Sequence, residues 1–128
     1  MYVELQQNDG EVVGVDEPIV FKNIITQSPD RSWNLSTSKL TCPFTGVYIL
    51  GGVFRAETVS NYIKVYVNGV FRGAAADLVN SGIEPFYYCF YANKDDEMYI
   101  TPGVSEVTLR SDNDHIMTIA GYGVNHAL

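Results

Sequence analysis

The sequence predicts a single all-β domain, a sandwich or barrel spanning residues 1–128, and three observations carry that expectation. Nine Tyr, six Phe and a rich supply of Val and Ile stand in 128 residues, with few Ala, Leu, Glu or Lys at helical spacing. Turn signals recur at short intervals, the layout of short strands joined by tight loops. A length of 128 residues is the usual size of one domain, and with nearly half of the chain apolar there is enough material for one core.

In chain order, Asn8-Asp9-Gly10 and Ser28-Pro29-Asp30 punctuate the first third, and Pro43 to Gly46 leads into a long apolar segment. In Val47 to Phe54 one face carries Val47, Ile49, Gly51 and Val53, and the other Tyr48, Leu50, Gly52 and Phe54, so both faces are apolar. Tyr62 to Arg72 reads as a hairpin, because Asn68-Gly69 supplies the positive φ angles of a two-residue turn between Val67 and Val70. Its first strand alternates cleanly, with Ile63, Val65 and Val67 against Tyr62, Lys64 and Tyr66, as expected of a sheet with one face in water.

Asn80-Ser81-Gly82 precedes a second segment that is apolar on both faces, with Phe86, Tyr88, Phe90 and Ala92 against Tyr87, Cys89 and Tyr91. Turns follow at Asn93 to Asp96, Pro102-Gly103 and Ser111 to Asp114. The last segment, His115 to Val124, sets Met117, Ile119, Gly121 and Gly123 against Thr118, Ala120, Tyr122 and Val124. A two-sheet sandwich covers only the inner face of each sheet, so three such strands ask for a second cover. If they share a sheet, about seven sizeable side chains point outward at roughly 1.5–3 kcal/mol each when fully buried. Another copy of the same chain is the expected cover.

The order of these segments resembles the globular head of complement component one-q and its tumour-necrosis-factor relatives. The resemblance rests on Glu17 to Ile25 with its Pro-Ile-Val-Phe run, on Trp33, and on Leu40-Thr41-Cys42-Pro43-Phe44-Thr45-Gly46-Val47-Tyr48-Ile49-Leu50. It continues through the Val65 to Gly69 hairpin, the Asn93 to Ile100 turn and the closing Thr118 to Val124 strand. Leu40, Leu50 and Ile119 stand where that pattern has Phe, and Asp95 where it has Gly. The resemblance implies an antiparallel ten-strand jelly roll that assembles as a homotrimer around a threefold axis. It implies that Val47, Ile49, Val53, Tyr87, Cys89, Tyr91, Met117 and Ile119 face that axis. Tyr48, Leu50, Phe54, Tyr88, Phe90, Ala120 and Tyr122 would then face the core. Parity within the strands does not choose between the two sets.

Eight basic residues against fifteen acidic ones give a net charge of −7, which disfavours nucleic acid and anionic lipid as partners. No apolar run reaches the length of about 20 residues needed to span a membrane, and the first residues lack a signal-peptide layout. Cys42 and Cys89 are too few for a disulfide scaffold and read as free thiols. His115 and His126 lie in neither a nucleophile elbow nor a metal spacing, so no catalytic residue and no enzyme is expected.

Asp95, Asp96 and Glu97, and again Asp112 and Asp114, could offer oxygen ligands to calcium, against the simpler reading of solvated turns. Tyr62, Tyr66 and Phe71 could form an aromatic platform for a sugar. Trp33 follows a turn, Ser28 to Arg31, and could be a ligand-facing aromatic, against the simpler reading of a lid over one end of the core. The expected function is a non-enzymatic trimeric module that binds a protein or a glycan. Its absent stalk and leader suggest a phage capsid decoration, a fibre tip or a bacterial surface module. The alternatives are a secreted signalling or recognition head and a carbohydrate-binding module.

Overall fold

A computed structural model describes residues 1–7, 12–54, 61–78, 84–104, 106–109 and 115–124. In chain order these hold β1 (Tyr2–Gln7), β2 (Val12–Val13), β3 (Asn23–Ser28), β4 (Trp33–Asn34), β5 (Lys39–Thr41) and β6 (Gly46–Phe54). They continue with β7 (Asn61–Val67), β8 (Val70–Leu78), β9 (Glu84–Ala92), β10 (Glu97–Pro102), β11 (Val107–Thr108) and β12 (His115–Gly123). Twelve strands are therefore found where ten were expected. Ten of them form two five-stranded sheets, and the two-residue strands β2 and β11 make a separate small pair.

The first sheet has the order β3-β1-β12-β6-β9 and the second β4-β5-β10-β7-β8, and every pairing is antiparallel. The three segments with apolar residues on both faces are the consecutive neighbours β12, β6 and β9 of one sheet. The β7–β8 hairpin turns at Asn68 and Gly69, whose φ angles of 51° and 75° are the two positive values a tight hairpin turn demands.

The core lies between the sheets. Val3, Leu5, Tyr48, Leu50, Phe54, Phe86, Phe90, Met117 and Ile119 enter it from the first sheet, and Leu40, Ile63, Val65, Met98 and Ile100 from the second. One end is filled by Phe54 stacked on Phe86 at 4.7 Å, with Phe21 at 5.9 Å from Phe54 and edge-on to Trp33 at 6.2 Å. The other end holds the stack Phe44–Tyr48–Phe90, at 5.6 and 5.5 Å. Trp33 is buried at the first end, as a lid should be, and its indole N–H donates to the Phe21 carbonyl at 3.3 Å.

One face assignment is corrected. Met117 and Ile119 are fully buried in the core, whereas Ala120 is half-buried and Tyr122 exposed on the outer side. Directly paired residues of an antiparallel ladder share a face. Ile119 pairs with core-facing Leu50, and Ala120 and Tyr122 pair with Ile49 and Val47, so register with β6 turns β12 the opposite way from that expected. Tyr88 is also only half-buried, at the sandwich edge.

Candidate binding surfaces

Cross-strand register arranges the outer face of the first sheet in rows. Tyr122, Val47 and Tyr91 form one row, and Tyr2, Ala120, Ile49 and Cys89 the next. Glu4, Thr118, Gly51 and Tyr87 follow, then Gln6, Ile116, Val53 and Pro85. The aromatic rings of these rows stand only at row ends, and the residues between them are aliphatic, threonine or glycine. Tyr87 is 64 % exposed, Tyr122 62 % and Tyr91 45 %. Glu4 is the single charge in these rows, and it accepts a hydrogen bond from the Tyr2 hydroxyl at 2.9 Å. Such a face on a chain of net charge −7 is unusual, because charge elsewhere is plentiful. Val47, Ile49, Val53, Tyr87, Cys89 and Tyr91 all lie on it, and sequence reasoning missed Tyr2, which reaches it through the pairing of the two chain-terminal strands.

The outer face of the second sheet carries the other aromatic group. Tyr66 stacks on Tyr99 at 5.3 Å with a 4° tilt, and Phe71 lies 6.0 Å from Tyr66. Tyr62 joins them only through Lys64, whose ammonium stands 5.9 Å from the Tyr62 ring and 5.8 Å from that of Phe71. Asp16 accepts from the Tyr66 hydroxyl at 3.1 Å and pairs with Lys64 at 3.7 Å. The Tyr66 pKa is raised, by loss of solvent first and then by the Asp16 carboxylate. Lys39 stands 4.9 Å over Tyr99. Tyr99 and Lys39 belong to this group through the β5–β10–β7 pairing, for which no local sequence signal exists.

The acidic turns behave differently. Asp96 is engaged, since one oxygen accepts from the Asn93 N–H of its own turn at 2.8 Å and the other from the Asn68 amide of the neighbouring hairpin at 2.7 Å. Asp95 is exposed, with φ of 73°. Among the described residues no three His, Cys, Asp or Glu side chains converge on a common point, and Asp112 and Asp114 lie outside the described residues, as does His126. His115 is enclosed in the core, 5.9 Å from the Phe54 ring. Cys42 and Cys89 are both free thiols, Cys42 buried and Cys89 exposed. Burial pushes the Cys42 thiol up to about 12.

The whole sandwich superposes on known structures. The globular domain of zebrafish complement 1qA matches with a TM-score of 0.72 at 15 % identity, covering 97 % of each chain. The chain has the C1q/TNF-like jelly-roll fold. Eiger TNF from S. frugiperda matches at 0.64 and 10 % identity over 100 % of this chain and 96 % of that one, and murine APRIL at 0.62 and 10 % over 95 % and 100 %. No protein-family model and no curated protein sequence matches the chain.

Within this C1q/TNF-like jelly roll the departures noted in the sequence keep their physical function. Leu40, Leu50 and Ile119 are each fully buried, so an aliphatic side chain fills the place of a ring. Asp95 occupies a left-handed backbone position, which is the reason Gly suits it. Among the described residues no helix is long and apolar enough to cross a membrane.

Proposed function

We propose that the chain is a non-enzymatic homotrimeric binding module, with the outer face of β12, β6 and β9 packed around a threefold axis. The observation that carries this reading is the near-absence of charge from rows that expose Tyr2, Val47, Tyr87, Tyr91 and Tyr122. Those five side chains are a third to two-thirds exposed, so their cover offers on the order of 5 kcal/mol per subunit before association costs. The axis set is Val47, Ile49, Val53, Tyr87, Cys89 and Tyr91, joined by Ala120, Tyr122 and Tyr2 in place of Met117 and Ile119. Small Ala120 and Cys89 flank Ile49, which suits the crowding of three copies.

Two of the groups able to carry catalysis support the non-enzymatic half of the reading. His115 and Cys42 are sealed in the core, and a neutral, buried thiol is a poor nucleophile. The surfaces left for a protein or glycan partner are the loops and the Tyr62, Tyr66, Phe71 and Tyr99 group, where rings offer flat apolar area and hydroxyls offer hydrogen bonds. The setting we assign is attachment, as a virion component such as a capsid decoration or fibre tip, or as a cell-surface module. Capsid and tail genes beside its own gene would support that setting, and a secretory leader or collagen tract in the parent gene would replace it with a secreted recognition head.

The assembly is tested with Ile49→Asp, which places a charge in the middle of the contact. Light scattering should report three times the chain mass for the parent and the single-chain mass for the variant. A parent that runs as a monomer at micromolar concentration, or a variant of unchanged mass, overturns the reading.

A further inference from the structure

The two flanks of the sandwich differ. On the β8–β9 side Tyr88 lies across Gly73 and donates its hydroxyl to the Arg72 carbonyl at 2.8 Å, which seals the edge. On the opposite side, between the edge strands β3 and β4, a cleft of about 360 Å³ stays open, lined by Ile24, Gln27, Arg31, Trp33, Asn34 and Leu35. That volume falls in the range of sites for small molecules.

The chemistry of the lining is one-sided. Ile24, the half-exposed Leu35 and the edge of Trp33 supply an apolar floor, and the indole N–H is already engaged by the Phe21 carbonyl. The Gln27 side-chain oxygen accepts from the Trp33 backbone N–H at 3.1 Å. The Asn34 side-chain oxygen accepts from the Ser36 N–H and hydroxyl, both at 2.9 Å, and from the Thr37 N–H at 3.2 Å. A backbone N–H can only donate, so the inward atom of each amide is its oxygen and the NH2 group is what remains. Arg31 adds a guanidinium without an ion-pair partner among the described residues. The cleft thus presents side-chain amide donors, one guanidinium and an apolar floor, while its side-chain amide oxygens are engaged in the loop itself.

We propose that this cleft binds a small organic acid through its carboxylate, with Arg31 and the Gln27 and Asn34 amides on the oxygens and the apolar body of the ligand against Ile24 and Leu35. A guanidinium matches a carboxylate in two parallel hydrogen bonds, and an acid with an aliphatic body fills the remaining space. A polyhydroxylated ligand is disfavoured, because the lining side chains offer its hydroxyl donors few acceptors beyond oxygens already engaged.

Trp33 is the one tryptophan of the chain, so its fluorescence reports on the cleft directly. Titration of the full chain with octanoate should give a saturable change. Octanamide, of the same shape without the charge, should bind at least tenfold more weakly, and Arg31→Gln should weaken octanoate at least tenfold. Equal binding of octanoate and octanamide overturns the proposal, as does an unchanged affinity in Arg31→Gln, displacement of octanoate by N-acetylneuraminate at equal concentration, or no saturable signal. The octanamide comparison needs no variant, and every arm can be read in a trimer or a monomer, so this result stands apart from that of the assembly.

Discussion

At the scale of the residue, two buried side chains are out of keeping with their surroundings. Gln7 is buried at the end of β1, and both polar atoms of its amide lack a hydrogen-bond partner among the described residues. An enclosed, unmade pair of hydrogen bonds costs more than an apolar group of similar shape. Gln7→Met should therefore stabilise the fold, by on the order of 1–2 kcal/mol, read as a higher urea midpoint. Cys42 raises a different matter, because burial holds its thiol neutral, with its pKa pushed up to about 12. A folded-state pKa above the unfolded value near 8.5 favours folding fully at lower pH. That contribution is lost as the pH climbs from about 9 toward 12, at up to about 1.4 kcal/mol per pH unit. The urea midpoint of the parent should then fall more steeply above about pH 9 than that of Cys42→Ala. Parallel pH profiles would refute this.

At the scale of the element, the turns show how local chemistry and distant partners combine. The Asn68-Gly69 turn is legible in two letters, yet the Asn68 side chain also accepts the Glu97 N–H at 2.8 Å and donates to Asp96. The β7–β8 hairpin and the β9–β10 turn are thereby clamped together. In that second turn Asp95 holds a left-handed φ of 73°, and its N–H donates to the Cys42 carbonyl at 2.8 Å. The backbone position is fixed by that bond, and only glycine adopts it without steric cost. Asp95→Gly should raise stability by about 0.5–1 kcal/mol, seen as a melting temperature a few degrees higher. A lower melting temperature would mean that the Asp95 side chain contributes more than its backbone costs.

At the scale of the whole molecule, the nearly uncharged outer face of the first sheet is the surface on which the proposed assembly rests. If three copies cover it, Cys89 is closed off in the assembly although it is exposed in the single chain, and Cys42 is closed off in both. A thiol reagent added to the native parent should then find neither cysteine, whereas the Ile49→Asp variant should release one equivalent. Rapid reaction of one thiol in the parent would place Cys89 in solvent and contradict the assembly. The same change of scale reduced the expected gain. Met117 and Ile119 leave the outward set for the core and Tyr2 and Tyr122 join it, so its size holds, but its side chains are only partly exposed in the single chain and the proposed interface depends more on the rings of Tyr87, Tyr91 and Tyr122.

The sequence by itself determined the all-β class, the β7–β8 hairpin and the existence of three strands that are apolar on both faces, because each is written in local periodicity and turn chemistry. It also placed Val47, Ile49 and Val53 opposite Tyr48, Leu50 and Phe54, since alternation along one strand is a local property. Which face of β12 turns inward was decided only by tertiary structure. Neither face of β12 carries a charge, so alternation alone is silent there, and the pairing of Ile119 with Leu50 settles it. The turn before Trp33 was legible, but that β3 and β4 end at the free edges of opposite sheets, which leaves a cleft between them, was decided only by tertiary pairing.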